Sequence, residues 1–402
     1  MRVVLLLILS LFSLCIWVNS SPKSAATCLA AQSGDSKAFG SALAVSKDDL
    51  AVGDPQANRV VLYRRNASDG WSRAQDILPP VGSTANEAGA GFGYSLEWRE
   101  GILVIGAYDQ HRRPSDNVIQ YVGAIYVAKL NSDRSISIQE ISIPQINLVV
   151  GYTVAWFGNK VAFAGKVEVA PGRWIERILV ADPINRQITR VIGAPKRPEE
   201  DYTWPQLESP PSVDFDNFGP SIAGHHGTLL IGVTGAPPRG GMYLATANGR
   251  VRRAAWDAEG LYPLSVAGTS VVLSDDLIGI GRSSGFGPSD TLVLRRMADR
   301  SLYVGAADLS GSLDVSGSHV LISTGQVQGL PTPATRPEHL LVRVDRDEIV
   351  VESEIRWQRG NAFPIVANGI IDSDHLILSA EGKVMQISIK DLPDSYMIRN
   401  CQ

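Results

Sequence analysis

The chain has 402 residues, 19% of them charged, and its 37 Lys and Arg against 41 Asp and Glu leave a net charge of −4. That balance excludes a nucleic-acid binder working through a basic face, and it excludes a long acidic tail. With 44% hydrophobic residues and 38 glycines, the composition is that of a globule whose core elements are short and frequently turned, and β-rich domains of this length occur as single units.

In chain order, the first element is a targeting segment. Arg2 precedes VVLLLILSLFSLCIWV, an apolar run of 16 residues, followed by Asn19, Ser20 and Ser21. A positive start, a short apolar core and small residues mark residues 1–20 as a secretory signal. The run is short of the roughly 20 residues of a membrane span. The expected location is therefore secreted, extracellular or periplasmic, with no stable membrane span after signal removal. Cleavage would take Cys15 away and leave Cys28 and Cys401. One pair in a secreted chain favours a disulfide, two unpaired thiols being the other reading. Asn66-Ala67-Ser68 is a glycosylation acceptor if the host is eukaryotic.

From Phe39 the chain repeats itself. In FGSALAVSKDDLAVGDPQANRVVLY, three short apolar runs are separated by a polar turn and by Asp, Pro and Asn, with no 3.6-residue period. That is a small antiparallel meander. Altered copies start at Phe92, Val150, Phe218, Ala267, Ser310 and Phe363, at separations of 43 to 68 residues. A meander cannot bury both of its faces alone, and units of roughly 40 to 50 residues stack radially. The expected fold is all-β, a seven-bladed β-propeller of four-stranded antiparallel blades filling residues 21–402 as one domain.

The repeat also resembles a known family. Phe-Gly-x-Ser, an apolar strand ending in Gly-Ala-Pro or a close variant, then Gly-x-Tyr-Val resembles the FG-GAP repeat of integrin α-subunit propellers and their bacterial relatives. The resemblance covers residues 39–389, most clearly in FGSALAV and FGYSLEW. It implies adhesion through the loops of one face, and calcium loops of the D-x-D-x-D-G type in some blades. The turns here are SKDD, WREG, FGN, HHG, SDD, SGS and DSD, without the alternating carboxylates that calcium needs. No cofactor or metal is expected.

Loop lengths name the face. First-to-second turns are short in every copy. Several second-to-third connectors, and the link APKRPEEDYTWPQLESPPSVDFD from Ala194, are long and emerge at the opposite end. Long irregular loops are where binding residues concentrate. The candidate site residues are Arg112, Arg113, Tyr202, Trp204, Arg239, Arg282, Phe286 and Arg336, the arginine and aromatic mix of interface hot spots. His225-His226 reads as a solvated turn, since neighbours in a strand point to opposite faces. Asp214 and Asp216 read as a loop cap, and there is no G-x-S-x-G nucleophile elbow. The function expected is a binding or adhesion module with a protein or glycan ligand at the cell surface or envelope. Alternatives are a propeller-type carbohydrate-active hydrolase or lyase with its site at the channel mouth, and a structural assembly protein of the cell envelope.

Overall fold

The computed structural model describes residues 26–29, 35–67, 70–83, 91–112, 119–131, 133–143, 148–170, 173–192, 218–233, 241–248, 250–253, 266–275, 277–283, 291–296, 302–306, 312–323, 338–344, 349–357, 367–380 and 382–398. They form seven antiparallel sheets, each a blade that runs outward from an inner strand. Blade 1 is Leu43–Ser46, Asp49–Asp54, Arg59–Arg65 and Trp71–Ile77. Blade 2 is Phe92–Arg99, Ile102–Arg112, Ile119–Leu130 and Ile136–Glu140. Blade 3 is Leu148–Phe157, Lys160–Ala170, Arg173–Asp182 and Gln187–Ile192. Blade 4 is Phe218–His225, Thr228–Val233, Gly241–Thr246 and Val251–Arg253, and blade 5 is Val266–Leu273, Leu277–Ser283, Thr291–Arg296 and Leu302–Ala306.

Blades 6 and 7 depart from the simple repeat. Blade 6 is Leu313–Ser316, His319–Ser323, His339–Val344 and Ile349–Trp357, and Ser395–Ile398 adds a fifth, parallel strand at its outer edge. Blade 7 takes only three strands from the last repeat, Ala367–Asp372, His375–Ala380 and Lys383–Ser388. Its outer strand is Ala26–Leu29 from the other end of the chain, in antiparallel register from Ala26↔Ile387 to Leu29↔Val384.

Each inner strand touches the inner strand of the next blade, and that of blade 7 touches that of blade 1. The molecule is a closed seven-bladed propeller. The apolar clusters follow the interfaces: Leu62, Phe92, Leu96 and Tyr126 fill the gap between blades 1 and 2, and Val104, Ile125, Val154 and Phe163 the gap between blades 2 and 3. Each fully buried aliphatic side chain of this kind stabilises by about 1.5–3 kcal/mol. Phe39 and Phe92, at the start of their repeats, are wedges in these interfaces, 2% and 0% exposed. The glycine after Phe92 has φ +93°, and a side chain on it would press on the carbonyl of Arg59 in blade 1.

The first-to-second connections are two-residue hairpin turns in blades 1, 2, 3, 4, 6 and 7, as shown by pairings such as Arg99↔Ile102 and His225↔Thr228. Glu100 and Gly101, and His226 and Gly227, take the positive φ angles that a right-twisted hairpin requires. These tight turns share one face. The second-to-third connectors and inter-blade links leave from the other, as strand alternation dictates. No helix among the described residues is long and apolar enough to cross a membrane.

Candidate functional site

At the long-loop face, three tyrosines meet where blades 2 and 3 abut. Tyr94 lies near the start of the inner strand of blade 2, Tyr108 near the end of its second strand, and Tyr152 near the start of the inner strand of blade 3. All three positions lie toward the face from which the long loops leave. Tyr94 and Tyr108 pack edge to face with centroids 5.2 Å apart, and Tyr108 and Tyr152 at 5.7 Å. Such pairs add roughly 0.5–1.5 kcal/mol beyond area burial and hold the rings rigidly. Tyr94 is 43% exposed at the front of this stack. Tyr152 lies deeper, its phenol pushed up mainly by burial and further by the carboxylate of Glu176 and by Tyr108. Close approach of main chain makes this corner possible: a side chain at Gly123 would stand 2.0 Å from the carbonyl oxygen of Val150.

Deeper in the channel are two carboxyls. Glu97 is on the inner strand of blade 2 and Asp314 on the inner strand of blade 6. These blades are not neighbours, so any interaction between the two groups crosses the central channel. The negative charge of Asp314 does act on Glu97, second to burial, and Glu97 is raised to about 7. Burial raises Asp314 to about 6, against the pull of the main-chain N–H groups of Ile371 and Val315. Ile371 N–H donates to Asp314 Oδ2 at 2.6 Å. Both side chains keep a narrow accessible face while the surrounding atoms strip most of their hydration. Carboxyls raised in this way take up and release protons closer to neutral pH than free ones, as acid and base chemistry needs.

Of the residues expected at the binding face, Arg112 ends the second strand of blade 2 and Arg282 lies one residue from the end of the second strand of blade 5. Both strand ends are on the long-loop face. Arg113, Tyr202, Trp204, Arg239, Phe286 and Arg336 lie outside the described residues, as do Asp214, Asp216 and Cys401. Cys28 sits in the closing strand of blade 7. Asn66 is exposed on the third-to-fourth turn of blade 1, where its Oδ1 accepts the Gly70 N–H at 2.9 Å.

One expectation is corrected. His225 and His226 do not point to opposite faces, because the turn at His226, φ +42°, breaks strand alternation. Their rings are 4.1 Å apart, and both turn toward Asp275 of blade 5.

No protein-family model matches the chain, and no curated protein does. Among solved structures, that of a streptogramin B lyase superposes with a TM-score of 0.50 at 11% identity, over 90% of this chain and 97% of that one. The likeness is one of fold. A second, apo AztD from Citrobacter koseri, gives a TM-score of 0.46 at 11% identity, over 87% of this chain and 83% of that one.

Proposed function

We propose that this propeller is an extracytoplasmic recognition module of the FG-GAP type, which holds a protein or glycan ligand at the mouth of the channel on its long-loop face. The observation that carries the reading is the stack of Tyr94, Tyr108 and Tyr152: an exposed ring braced by two more, on the face whose strand ends also bear Arg112 and Arg282. Rigid aromatic side chains give contact area at low entropic cost, and they stack on sugar rings and apolar side chains alike. Binding of the mature domain to glycan and envelope-protein arrays, beside a Tyr94→Ala variant, tests it. A ligand retained by the parent and weakened about tenfold or more in the variant supports the reading, which fits a hot-spot loss of 1–2 kcal/mol. A ligand bound equally by both would contradict it.

A second reading rests on Glu97 and Asp314. Two carboxyls with unequal environments facing one channel are what a carbohydrate-active hydrolase or lyase would use, the protonated one as acid and the ionised one as base. Turnover on a panel of glycosides and uronides that disappears in both Glu97→Gln and Asp314→Asn would favour it. Turnover indifferent to both changes would dismiss it.

A further inference from the structure

On the face opposite the long loops, two turns bring three metal-binding side chains together. His225 ends the inner strand of blade 4, His226 begins the tight turn after it, and Asp275 lies in the first-to-second connection of blade 5. We propose that these three residues form a site for a divalent transition ion with borderline ligand preference, such as zinc, which staples blade 4 to blade 5.

The distances admit an ion, and the orientation of His225 disfavours a simple hydrogen bond. Nε2 of His225 is 2.9 Å from Asp275 Oδ1, and Nε2 of His226 is 3.7 Å from the same oxygen. The candidate donor atoms of all three side chains lie within 4.8 Å of one another. Zinc bonds of about 2.0–2.2 Å in a tetrahedron set donor atoms roughly 3.3–3.6 Å apart, a spacing between the 2.9 and 3.7 Å seen here, so small side-chain rotations reach it. A histidine–carboxylate hydrogen bond would aim the ring N–H along the 2.9 Å vector. It does not, and Nε2 of His225 is buried with no hydrogen-bond partner. In a tetrahedral site the nitrogen lone pair points at the ion, between the donors, so a neighbouring ligand oxygen lies well off the ring axis.

The chemistry and the scaffold agree with that geometry. Two imidazoles and one carboxylate suit zinc, copper or nickel and not the hard cations that want an all-oxygen shell. The two rings meet at 65°, so they offer separate nitrogens to one point without stacking flat. The position of Asp275 is fixed by its own turn: Ser274 N–H donates to the Leu277 carbonyl at 2.9 Å, and Leu277 N–H donates to Ser274 Oγ at 3.0 Å. His226 and Asp275 are 71% and 73% exposed, so a fourth position stays open to water or to a side chain of a partner. A surface ion pair alone would contribute about 0–1 kcal/mol.

The test is a zinc titration of the untagged, EDTA-stripped protein near neutral pH, beside His226→Ala and Asp275→Asn. Coincident melts of the three proteins in EDTA check that the exposed substitutions leave the fold intact. One equivalent of zinc should bind, weakened at least about tenfold in each variant, the loss that even outer-sphere changes produce. Zinc should raise the melting midpoint of the unmodified protein alone. Cobalt gives a reading independent of the variants: the intense visible bands of a tetrahedral ion are expected. Absence of saturable zinc binding, binding and thermal shift that both variants keep, or a hydrated octahedral cobalt spectrum would each overturn the site.

Discussion

The interface between blades 2 and 3 and the seam between blades 7 and 1 share an apolar layer and bonds to main-chain carbonyls, and the seam adds an ion pair. The first is apolar and glycine-lined: Val104, Ile125, Val154, Trp156 and Phe163 interlock, and Gly123 admits the main chain of Val150. Its two blades are joined by continuous chain and by two bonds to main-chain carbonyls: Ser95 Oγ donates to Gly151 O at 2.9 Å and Arg99 Nη1 to Gly158 O at 2.6 Å. The seam has an apolar layer too, with Phe39, Leu43, Val61, Ile377 and Val384. Its polar pins include an ion pair as well as bonds to carbonyls. Ser379 Oγ donates to the Gly40 carbonyl at 2.5 Å, Asn368 Nδ2 to the Ser41 carbonyl at 2.5 Å, and Arg65 pairs with Asp372. The linker that leads from the closing strand into blade 1 is tied down by Asp35, which receives both Arg59 and Arg73, while Ser36 bonds the fully buried Asp54. Where the two ends of a ring must find each other, directional bonds select the register that apolar packing alone leaves open.

The largest effect that could break this comparison is removal of the closing strand. Deletion through Leu29 leaves the edge of Lys383–Ser388 unpaired, and loss of the cooperative melt together with aggregation is expected; Leu29→Ala alone should cost about 2–4 kcal/mol in chemical denaturation. Next is Gly123→Ala in the interior interface, where the added methyl meets a backbone carbonyl. A loss of about 2–3 kcal/mol is expected there, and a neutral result would mean that blades 2 and 3 pack less closely than described. Ser379→Ala at the seam should cost about 1–2 kcal/mol by orphaning its bond to Gly40. Arg65→Ala should cost about 1 kcal/mol or less and respond to salt, since that pair is partly solvated.

Titration separates the channel from both interfaces. Glu97 and Asp314 are raised from ordinary values of 4.5 and 3.8 to about 7 and about 6, so the folded chain binds protons that the unfolded chain releases. Their contribution is fully present below about pH 4 and is lost as pH rises through the raised values. Melting midpoints should therefore fall from pH 4 toward pH 7 on their account. Glu97→Gln should flatten that slope, and an unchanged slope would mean that the carboxyl is not enclosed as described.

The repeat was readable because its punctuation has a physical cause. Phe39 and Phe92 fill wedges, the following glycines permit close approach, and the short turns demand positive φ. The closing strand was not readable: ATCL is four residues of no pattern, and its partner lies more than 350 positions away. The edge strand SYMI of blade 6 escaped because it too is four residues of no pattern. Tyr94, Tyr108 and Tyr152 each sit in a strand pattern that reads as core, and only the abutment of two blades makes them a cluster. Glu97 and Asp314 are single acids in different repeats, and ring closure is what sets them across a common channel. His225 and His226 misled because alternation holds within strands and fails at a turn. The proposed Cys28 to Cys401 disulfide would add a covalent lock beside the closing strand, worth up to roughly 4–5 kcal/mol by loop entropy; peptide mapping without reduction would find the linked pair, and free thiols at both would remove it.

The channel and its mouth exist only if Ala26–Leu29 closes the ring. Hydrogen exchange followed by mass spectrometry reads this directly. Peptides spanning residues 26–29 and 383–388 should be protected as strongly as those from the second and third strands of blade 2, and they should open only with global unfolding. Rapid exchange in both, while blade 2 stays protected, would show an open ring and contradict the account.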